Sequence, residues 1–187
     1  MSTGTIVMLV ILGVIVLVVL ALIGIFNKLA KLKVMVEEAS SDIETFLKQR
    51  YDMIPNLVEV IKGYTKHESS TLEKVTEMRT RAMSAGSLQE KMEAEEGLSS
   101  AITKLFAVAE NYPDLKANTN FIELQSTLKD LEDNIQKSRR YYNGAARDFN
   151  TAIMVFPTNL IAQIFGYKKV DFFEASEEEK KNVEVKF

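Results

Sequence analysis

Several residue types that carry chemistry are missing or rare in this chain. It has no cysteine, no tryptophan and a single histidine among its 187 residues. Without cysteine there are no disulfides and no thiolate metal sites, and one histidine cannot supply the two Glu-x-x-His pairs of a di-iron bundle. The formal net charge is -3, with basic and acidic residues interspersed, which excludes the basic surface that nucleic acid requires. We therefore predict no metal, no cofactor and no nucleic-acid partner.

Charge is also absent from the whole stretch Met1 to Asn27. Within it, Ile6 to Phe26 is a continuous apolar run, which as a helix is about 31 Å long and matches a bilayer hydrocarbon core. In lipid, a helix is the form in which one segment satisfies its own backbone hydrogen bonds. A cleaved signal peptide fits less well, because no basic residue precedes the run and no A-x-A-like site closes it. We predict a transmembrane helix over residues 6–26, after a short tail of residues 1–5.

Three lysines, Lys28, Lys31 and Lys33, follow the apolar run at once, and no basic side chain precedes it. Positively charged flanks remain on the cytoplasmic side of a membrane. The sequence therefore predicts a single-pass protein of the cell membrane, with a short N-terminus outside and the rest of the chain in the cytoplasm.

From Asn27 onward the apolar residues recur at helical steps of three and four. Ser87 with Glu90 forms a capping box that opens a helix. Pro55 removes one backbone hydrogen bond, so we expect a kink there within a continuous helix, with Asn56 satisfying the freed carbonyl. We predict long helices over residues 27–84, 87–110 and 120–156, and a short one over 158–165.

These segments predict an all-α fold. The transmembrane helix continues into an elongated, antiparallel, coiled-coil-like helical bundle over residues 27–173, and residues 174–187 form a charged tail.

Three ordered motifs resemble those of the LemA family of bacterial membrane proteins. Residues 50–58 read RYDMIPNLV, residues 107–118 read AVAENYPDLKAN and residues 139–143 read RRYYN. The resemblance extends from the anchor to about Phe173. It implies one transmembrane helix with a cytoplasmic helical bundle, and it carries over no catalytic activity.

The first of these motifs has two interpretations. Both concern Arg50, Tyr51, Asp52, Pro55 and Asn56. In the structural one, Arg50 and Asp52 flank a kink, and Asn56 satisfies the carbonyl that the proline frees. In the functional one, the same residues form a docking surface near the membrane. We favour the structural role, because kinks have local causes.

Candidate catalytic groups are few. We expect His67 to be an exposed or interface side chain, because a metal site needs several converging ligands. The acidic clusters and the basic residues of the third helix are expected on solvated faces, at Glu37, Glu38, Glu93, Glu95, Glu96, Glu132, Asp133, Arg139, Arg140 and Arg147. No phosphate loop or catalytic triad is recognisable. We therefore predict that the protein is not an enzyme.

Helix lengths suggest an uncovered apolar stripe. A straight helix over 27–82 is about 84 Å long, whereas 88–110 is about 35 Å and returns from the distal end. The second helix then leaves the membrane-proximal stripe without cover in the same chain. We predict that this stripe mediates self-association, through Ile43, Phe46, Leu47 and Ile54.

Two functional hypotheses follow. The first is a non-enzymatic, membrane-anchored helical scaffold that forms homo-oligomers and presents its bundle to partners. The alternative is an accessory or sensory subunit of a membrane complex, which binds an unidentified protein or a small ligand in its bundle.

The orientation is open to a direct test. A reporter fused after Phe187 is expected to behave as cytoplasmic, because Lys28, Lys31 and Lys33 hold their flank inside. Changing all three lysines to glutamate is expected to give mixed insertion, measured by the same reporter. A periplasmic or extracellular signal from the unmodified chain contradicts the orientation.

Overall fold

The computed structural model describes residues 2–173, and these residues contain helices but no strand. The predicted charged tail, 174–187, lies outside the described residues. The all-α prediction is confirmed, as is the continuity of the apolar N-terminal helix with a helical bundle. The helices are α1 (Thr3–Lys62), α2 (Ser69–Ser84), α3 (Leu88–Ala109), α4 (Pro113–Lys116), α5 (Thr119–Ala152) and α6 (Thr158–Ile164).

The chain divides into two compact units. The first, here called the anchor unit, comprises the residues up to Ser41 together with Arg140–Phe172. The second, the bundle unit, comprises Asp42–Arg139 together with Phe173. Helices α1 and α5 each contribute one part to the anchor unit and one part to the bundle unit.

Side-chain contacts define helix directions within the bundle unit. Arg50 of α1 pairs with Glu132 of α5, and Tyr64, just beyond α1, accepts a hydrogen bond from Asn118, just before α5. Later residues of α1 thus meet earlier residues of α5, so the two helices are antiparallel.

Helix α3 runs in the same direction as α1. Lys91 of α3 reaches Glu44, and Glu95, one turn later, reaches Tyr51. Helix α2 lies between them in sequence and buries one apolar face. With α5 antiparallel to α1, the unit is a four-helix bundle with the up-and-down connectivity that short loops favour.

The predicted single helix over 27–84 is wrong, because α1 ends at Lys62 and α2 begins only at Ser69. Glycine is a poor helix former, and Gly63 stands at the break. The apolar stripe of α2 keeps the period of α1 and is buried by the bundle, at Leu72, Val75, Met78 and Ala82. A helical period in the sequence is the same whether the chain continues straight or reverses.

The remaining boundaries differ by a few residues. Ser87 caps α3 as predicted, its Oγ accepting from the Glu90 backbone N–H at 3.2 Å. Helix α1 begins at Thr3 rather than Ile6. At this start, Ser2 Oγ accepts a hydrogen bond from the Thr5 N–H at 3.3 Å. Helix α5 ends at Ala152, short of the predicted 156.

The anchor unit has a small core against α1. Leu29 has none of its surface exposed and packs with Ala152, Ile161 and Ala162. Beyond α6 the chain lies along α5, where the Asn150 side chain bonds both the N–H and the carbonyl of Val170 at 3.0 and 2.9 Å. By contrast, the apolar run of α1 before Ile25 is exposed throughout.

Helix α1 continues through Pro55. Proline has no N–H, so the carbonyl four residues earlier, that of Tyr51, loses its helical donor. The Arg79 side chain of α2 replaces it, its Nε donating to the Tyr51 carbonyl at 2.7 Å. The expectation that Asn56 satisfies the freed carbonyl is therefore wrong, and Asn56 is exposed. The kink itself stays a prediction.

This replacement predicts a coupled pair of mutations. Arg79→Met is expected to lower the free energy of unfolding by about 1–3 kcal/mol, because the Tyr51 carbonyl loses its donor. In a Pro55→Ala background the same change is expected to cost less, since residue 55 then supplies a backbone N–H. Chemical denaturation of the four chains in detergent, followed by circular dichroism, measures the coupling.

Arg81→Met is the matched control. Arg81 lies on the same helix but is exposed, and its nearest carboxylate, that of Glu93, is 3.9 Å away. Its removal is expected to change stability by less than about 1 kcal/mol in either background. If Arg79→Met lowers the free energy of unfolding equally with and without Pro55, Arg79 does not replace the helical donor of the Tyr51 carbonyl.

Candidate functional site

Arg50 lies in the core of the bundle unit with 2% of its surface exposed. Its Nη1 is 2.7 Å from Oε2 of Glu132 on α5. Its Nη2 donates to Oγ of Ser99 on α3 at 2.8 Å. Nη1 is also 3.5 Å from Oε2 of Glu95, on α3 as well. One side chain of α1 therefore binds two other helices through charge-assisted contacts.

Glu95 is a buried carboxylate, with 1% of its surface exposed. The Tyr51 hydroxyl donates a hydrogen bond to its Oε1. Among the described residues its Oε2 has no hydrogen bond, and the ion pair with Arg50 is its compensation. Removing one partner of such a pair costs about 3–5 kcal/mol, because it leaves a buried charge uncompensated. We call Arg50, Tyr51, Glu95, Ser99 and Glu132 the buried charge cluster.

The cluster keeps Tyr51 protonated. Burial raises the pKa of its hydroxyl well above the ordinary value, and the neighbouring negative charge of Glu95 raises this pKa further. Arg50 opposes the shift without cancelling it. Near neutral pH Tyr51 is therefore a hydrogen-bond donor, and it has no tendency to act as a base or nucleophile.

A cavity of about 420 Å³ opens beside the cluster. Its apolar lining residues are Ile102, Phe106 and Leu128, and its polar ones are Arg50, Ser99, Thr103, Gln125, Lys129, Glu132 and Asp133. Glu132 lies at the rim, with 37% of its side chain exposed. The cavity has the size of a small-molecule site. Both terminal nitrogens of Arg50 are already bonded within the protein, so a ligand there would compete with Glu132 and Ser99 for them.

The solvated-face prediction is wrong for Glu95 and only partly right for Glu132. The sequence contains a signal for the first of these. Glu95 stands three residues before Leu98 and seven before Ile102, on the apolar stripe of α3. An acid on such a stripe is buried against a partner cation, and Arg50 is that partner. Ser99 carried no comparable signal.

The first family-like motif faces in two directions. Arg50 and Tyr51 point into the core, whereas Asp52, Pro55 and Asn56 are exposed. Asp52 pairs along the helix surface with Lys48 at 2.7 Å. The docking role assigned to these residues stays a prediction, and only the second group is accessible for it.

The expectation of an uncovered stripe is wrong. Ile43, Leu47 and Ile54 are each 1% exposed within one chain, and Phe46 is partly buried. The reason is the early end of α1 at Lys62. The chain reverses there instead of at residue 84, so the following helices cover the part of α1 that a longer first helix would leave bare.

The remaining candidate residues lie mostly in solvent. His67, Lys28, Lys31 and Lys33 are exposed. Arg140 and Arg147 are exposed as expected. Arg139 is partly buried, and its guanidinium carbon lies 5.7 Å from the centre of the Phe173 ring. This distance allows a cation–π contact.

Comparison with known proteins assigns the family. A model of the LemA family matches residues 39–187. The chain belongs to the LemA family. It is 30% identical to Protein LemA of Metamycoplasma hominis over 164 residues, which cover 87% of this chain and 75% of that protein.

Two magnetosome proteins are also similar to this LemA-family chain. Magnetosome protein MamQ 2 of Paramagnetospirillum magneticum is 26% identical over 160 residues, covering 72% of this chain and 59% of that protein. Magnetosome protein MamQ of Magnetospirillum gryphiswaldense is 24% identical over 159 residues, covering 71% and 58%. The chain thus spans less than two thirds of either magnetosome protein.

The match to the LemA family begins at residue 39, after the apolar run of α1. It includes every member of the buried charge cluster. The resemblance predicted from the three motifs is confirmed.

The cluster predicts a specific dependence of stability on pH. Tyr51→Phe is expected to lower the free energy of unfolding at pH 7 by about 1–3 kcal/mol, because Glu95 loses a buried donor. Since the folded pKa of Tyr51 is raised, its contribution is complete below pH ~10, where the unfolded tyrosine ionises, and is lost as the pH rises further. The deficit of the variant is therefore expected to shrink above pH ~10.

Denaturant unfolding at a series of alkaline pH values measures this deficit. Tyr141→Phe is the control, because Tyr141 is 50% exposed on α5. Its removal is expected to leave the alkaline loss of stability unchanged. A constant deficit of Tyr51→Phe across the series contradicts the assigned protonation state.

Proposed function

We propose that this chain is a non-enzymatic, membrane-anchored interaction protein. One observation carries the proposal. Along α1 the apolar run is exposed to its surroundings, although the same helix continues into a folded bundle. Leaving a large apolar side chain in water forgoes about 1.5–3 kcal/mol, and a bilayer removes that cost for the whole run.

The orientation proposed is N-terminus outside and bundle in the cytoplasm. Its support is the set of exposed lysines Lys28, Lys31 and Lys33 directly after the apolar run.

A binding role fits the bundle better than catalysis. The buried charge cluster satisfies its charged groups internally, and its tyrosine is held protonated. Catalytic sites instead hold titratable groups ready to exchange protons near the working pH. The chain is also similar to proteins named for magnetosomes, beside Protein LemA of Metamycoplasma hominis. One helical module in such different settings suits an interaction role.

Self-association is the finer form of this proposal. The stripe around Leu47 is internal, so subunits would meet through the anchor. Gly13 and Gly24 lie 11 residues apart and within about 20° of each other around the helix. Small residues on one face allow close packing of helices in lipid. A Cβ atom at either glycine meets nothing within 4 Å in the single chain.

The accessory or sensory subunit remains the second candidate. The cavity of about 420 Å³ beside the buried charge cluster favours it, because such a volume accepts a small ligand. On this alternative, the purified chain is a monomer in detergent. When it is extracted from its native membrane, it copurifies with a foreign protein in fixed stoichiometry.

A pair of anchor mutations tests self-association. Gly13→Leu with Gly24→Leu is expected to lower the mass of the full-length protein in mild detergent, because bulk is added only where a second helix would approach. Light scattering after size-exclusion chromatography measures the mass. Helix content by circular dichroism is expected to stay unchanged.

The matched control is Val7→Leu with Val18→Leu. These valines have the same spacing of 11 residues, lie on other faces of α1 and are 53% and 52% exposed. The control is expected to keep the assembly mass. A monomeric unmodified chain contradicts self-association, and a stoichiometric foreign partner then supports the alternative.

A further inference from the structure

The anchor unit exposes a second group of large apolar side chains, far along the chain from the apolar run. It comprises the turn after α5 and the outer face of α6. Phe156 is 79% exposed and Ile164 74% exposed. Isolated exposed apolar residues are ordinary, but a group this large on one short segment marks an interaction surface. We call it the second apolar surface, formed by Met154, Val155, Phe156, Leu160, Ile164 and Phe165.

This surface is held beside the end of the anchor. The Phe165 ring packs on the Phe26 ring with centroids 4.8 Å apart. On its inner face, α6 buries Ile161 and Ala162 against Leu29. Phe26 is the last residue of the apolar run, and Lys28 is the first charge after it. If the run spans a bilayer, as proposed above, α6 lies at the depth where hydrocarbon gives way to headgroups.

The segment that contains the surface carries charge of one sign. From Phe149 to Val170 there is no Asp or Glu, and the charged residues are Lys168 and Lys169. This is a long acid-free stretch for a chain with 26 acidic residues in 187. Basic residues close to an anionic leaflet are attracted to it. The pattern complements a lipid surface.

A cavity lies between these lysines and the anchor. Its volume is about 570 Å³, and it is lined by Lys33, Lys168 and Lys169 together with Phe26 and Phe165. Glu37 also lines it, 3.6 Å from Lys33 Nζ. Aromatic side chains and lysines thus line one cavity, and these groups match the acyl chain and the phosphate of a phospholipid.

We propose that the second apolar surface is a membrane contact, inserted into the interface of the same anionic leaflet that α1 leaves. The inference rests on the proposed anchoring by α1. It gives the anchor unit two attachments to the bilayer, a spanning helix and an interfacial α6. A lipid occupant is favoured over a second copy of the chain, because the surface adjoins the apolar run and its own segment, residues 149–170, carries lysines but no Asp or Glu.

The absence of tryptophan permits a direct test, since one introduced tryptophan reports alone. The full chain carrying Phe156→Trp is reconstituted into bilayers of phosphatidylcholine and phosphatidylglycerol. Lipids brominated on the acyl chains quench indole fluorescence on contact. We expect a blue-shifted emission and severalfold stronger quenching than for Tyr141→Trp. Tyr141 also belongs to the anchor unit and is 50% exposed. It lies about 16 Å from Ala152 along α5, away from the second apolar surface.

A third variant, Leu12→Trp, reports on the anchor itself. Quenching of Leu12→Trp without quenching of Phe156→Trp overturns the membrane contact and leaves the anchor standing. Failure of both overturns the anchor as well. A blue-shifted Phe156→Trp that brominated lipids do not quench means that protein covers the surface, which also contradicts the inference. Equal quenching in bilayers of phosphatidylcholine alone contradicts the choice of an anionic leaflet.

Discussion

A guanidinium group that is almost completely buried has to be neutralised, and the bundle unit is organised around that requirement at Arg50. Apolar contacts between helices tolerate small slips, because one leucine packs much like another. A buried arginine with carboxylates from α3 and α5 does not, since a slip of one turn leaves charges unpaired. We interpret the cluster as the element that sets the register of these helices. Its contribution to net stability is a separate matter, because a buried ion pair is often no more stable than the apolar residues that could replace it.

Helix α2, the remaining helix of the bundle unit, contacts the same short part of α1. Pro55 frees the Tyr51 carbonyl, and Arg79 of α2 binds it. Residues 50–55 therefore contact α2 through a carbonyl, α3 through Glu95 and Ser99, and α5 through Glu132. An otherwise unfavourable proline inside a helix thus leaves the Tyr51 carbonyl free to accept a hydrogen bond from a neighbouring helix. This gives the first family-like motif a structural explanation without any catalytic step.

The buried charge cluster is thus largely internal, and the anchor unit exposes many large apolar side chains. In the anchor unit the large exposed apolar side chains lie mainly on the apolar run of α1 and on the second apolar surface. Both suit lipid, and neither requires a substrate. A membrane-bound interaction protein is consistent with this distribution of charge.

Features that depend only on neighbouring residues follow from the amino-acid order. These are the apolar run, the helical period, the Ser87 cap and the family motifs, because hydrophobicity, capping and spacing are local properties. Tertiary structure alone decided where α1 ends, that the Leu47 stripe is covered, and that Arg79 rather than Asn56 serves the Tyr51 carbonyl. Those outcomes depend on which distant helix returns to which face of α1. A period of three and four residues is identical in a helix that continues and in one that reverses after a six-residue turn. Glu95 lies between the two cases: its place on an apolar stripe marks it as buried, but only the folded chain brings Arg50 to it.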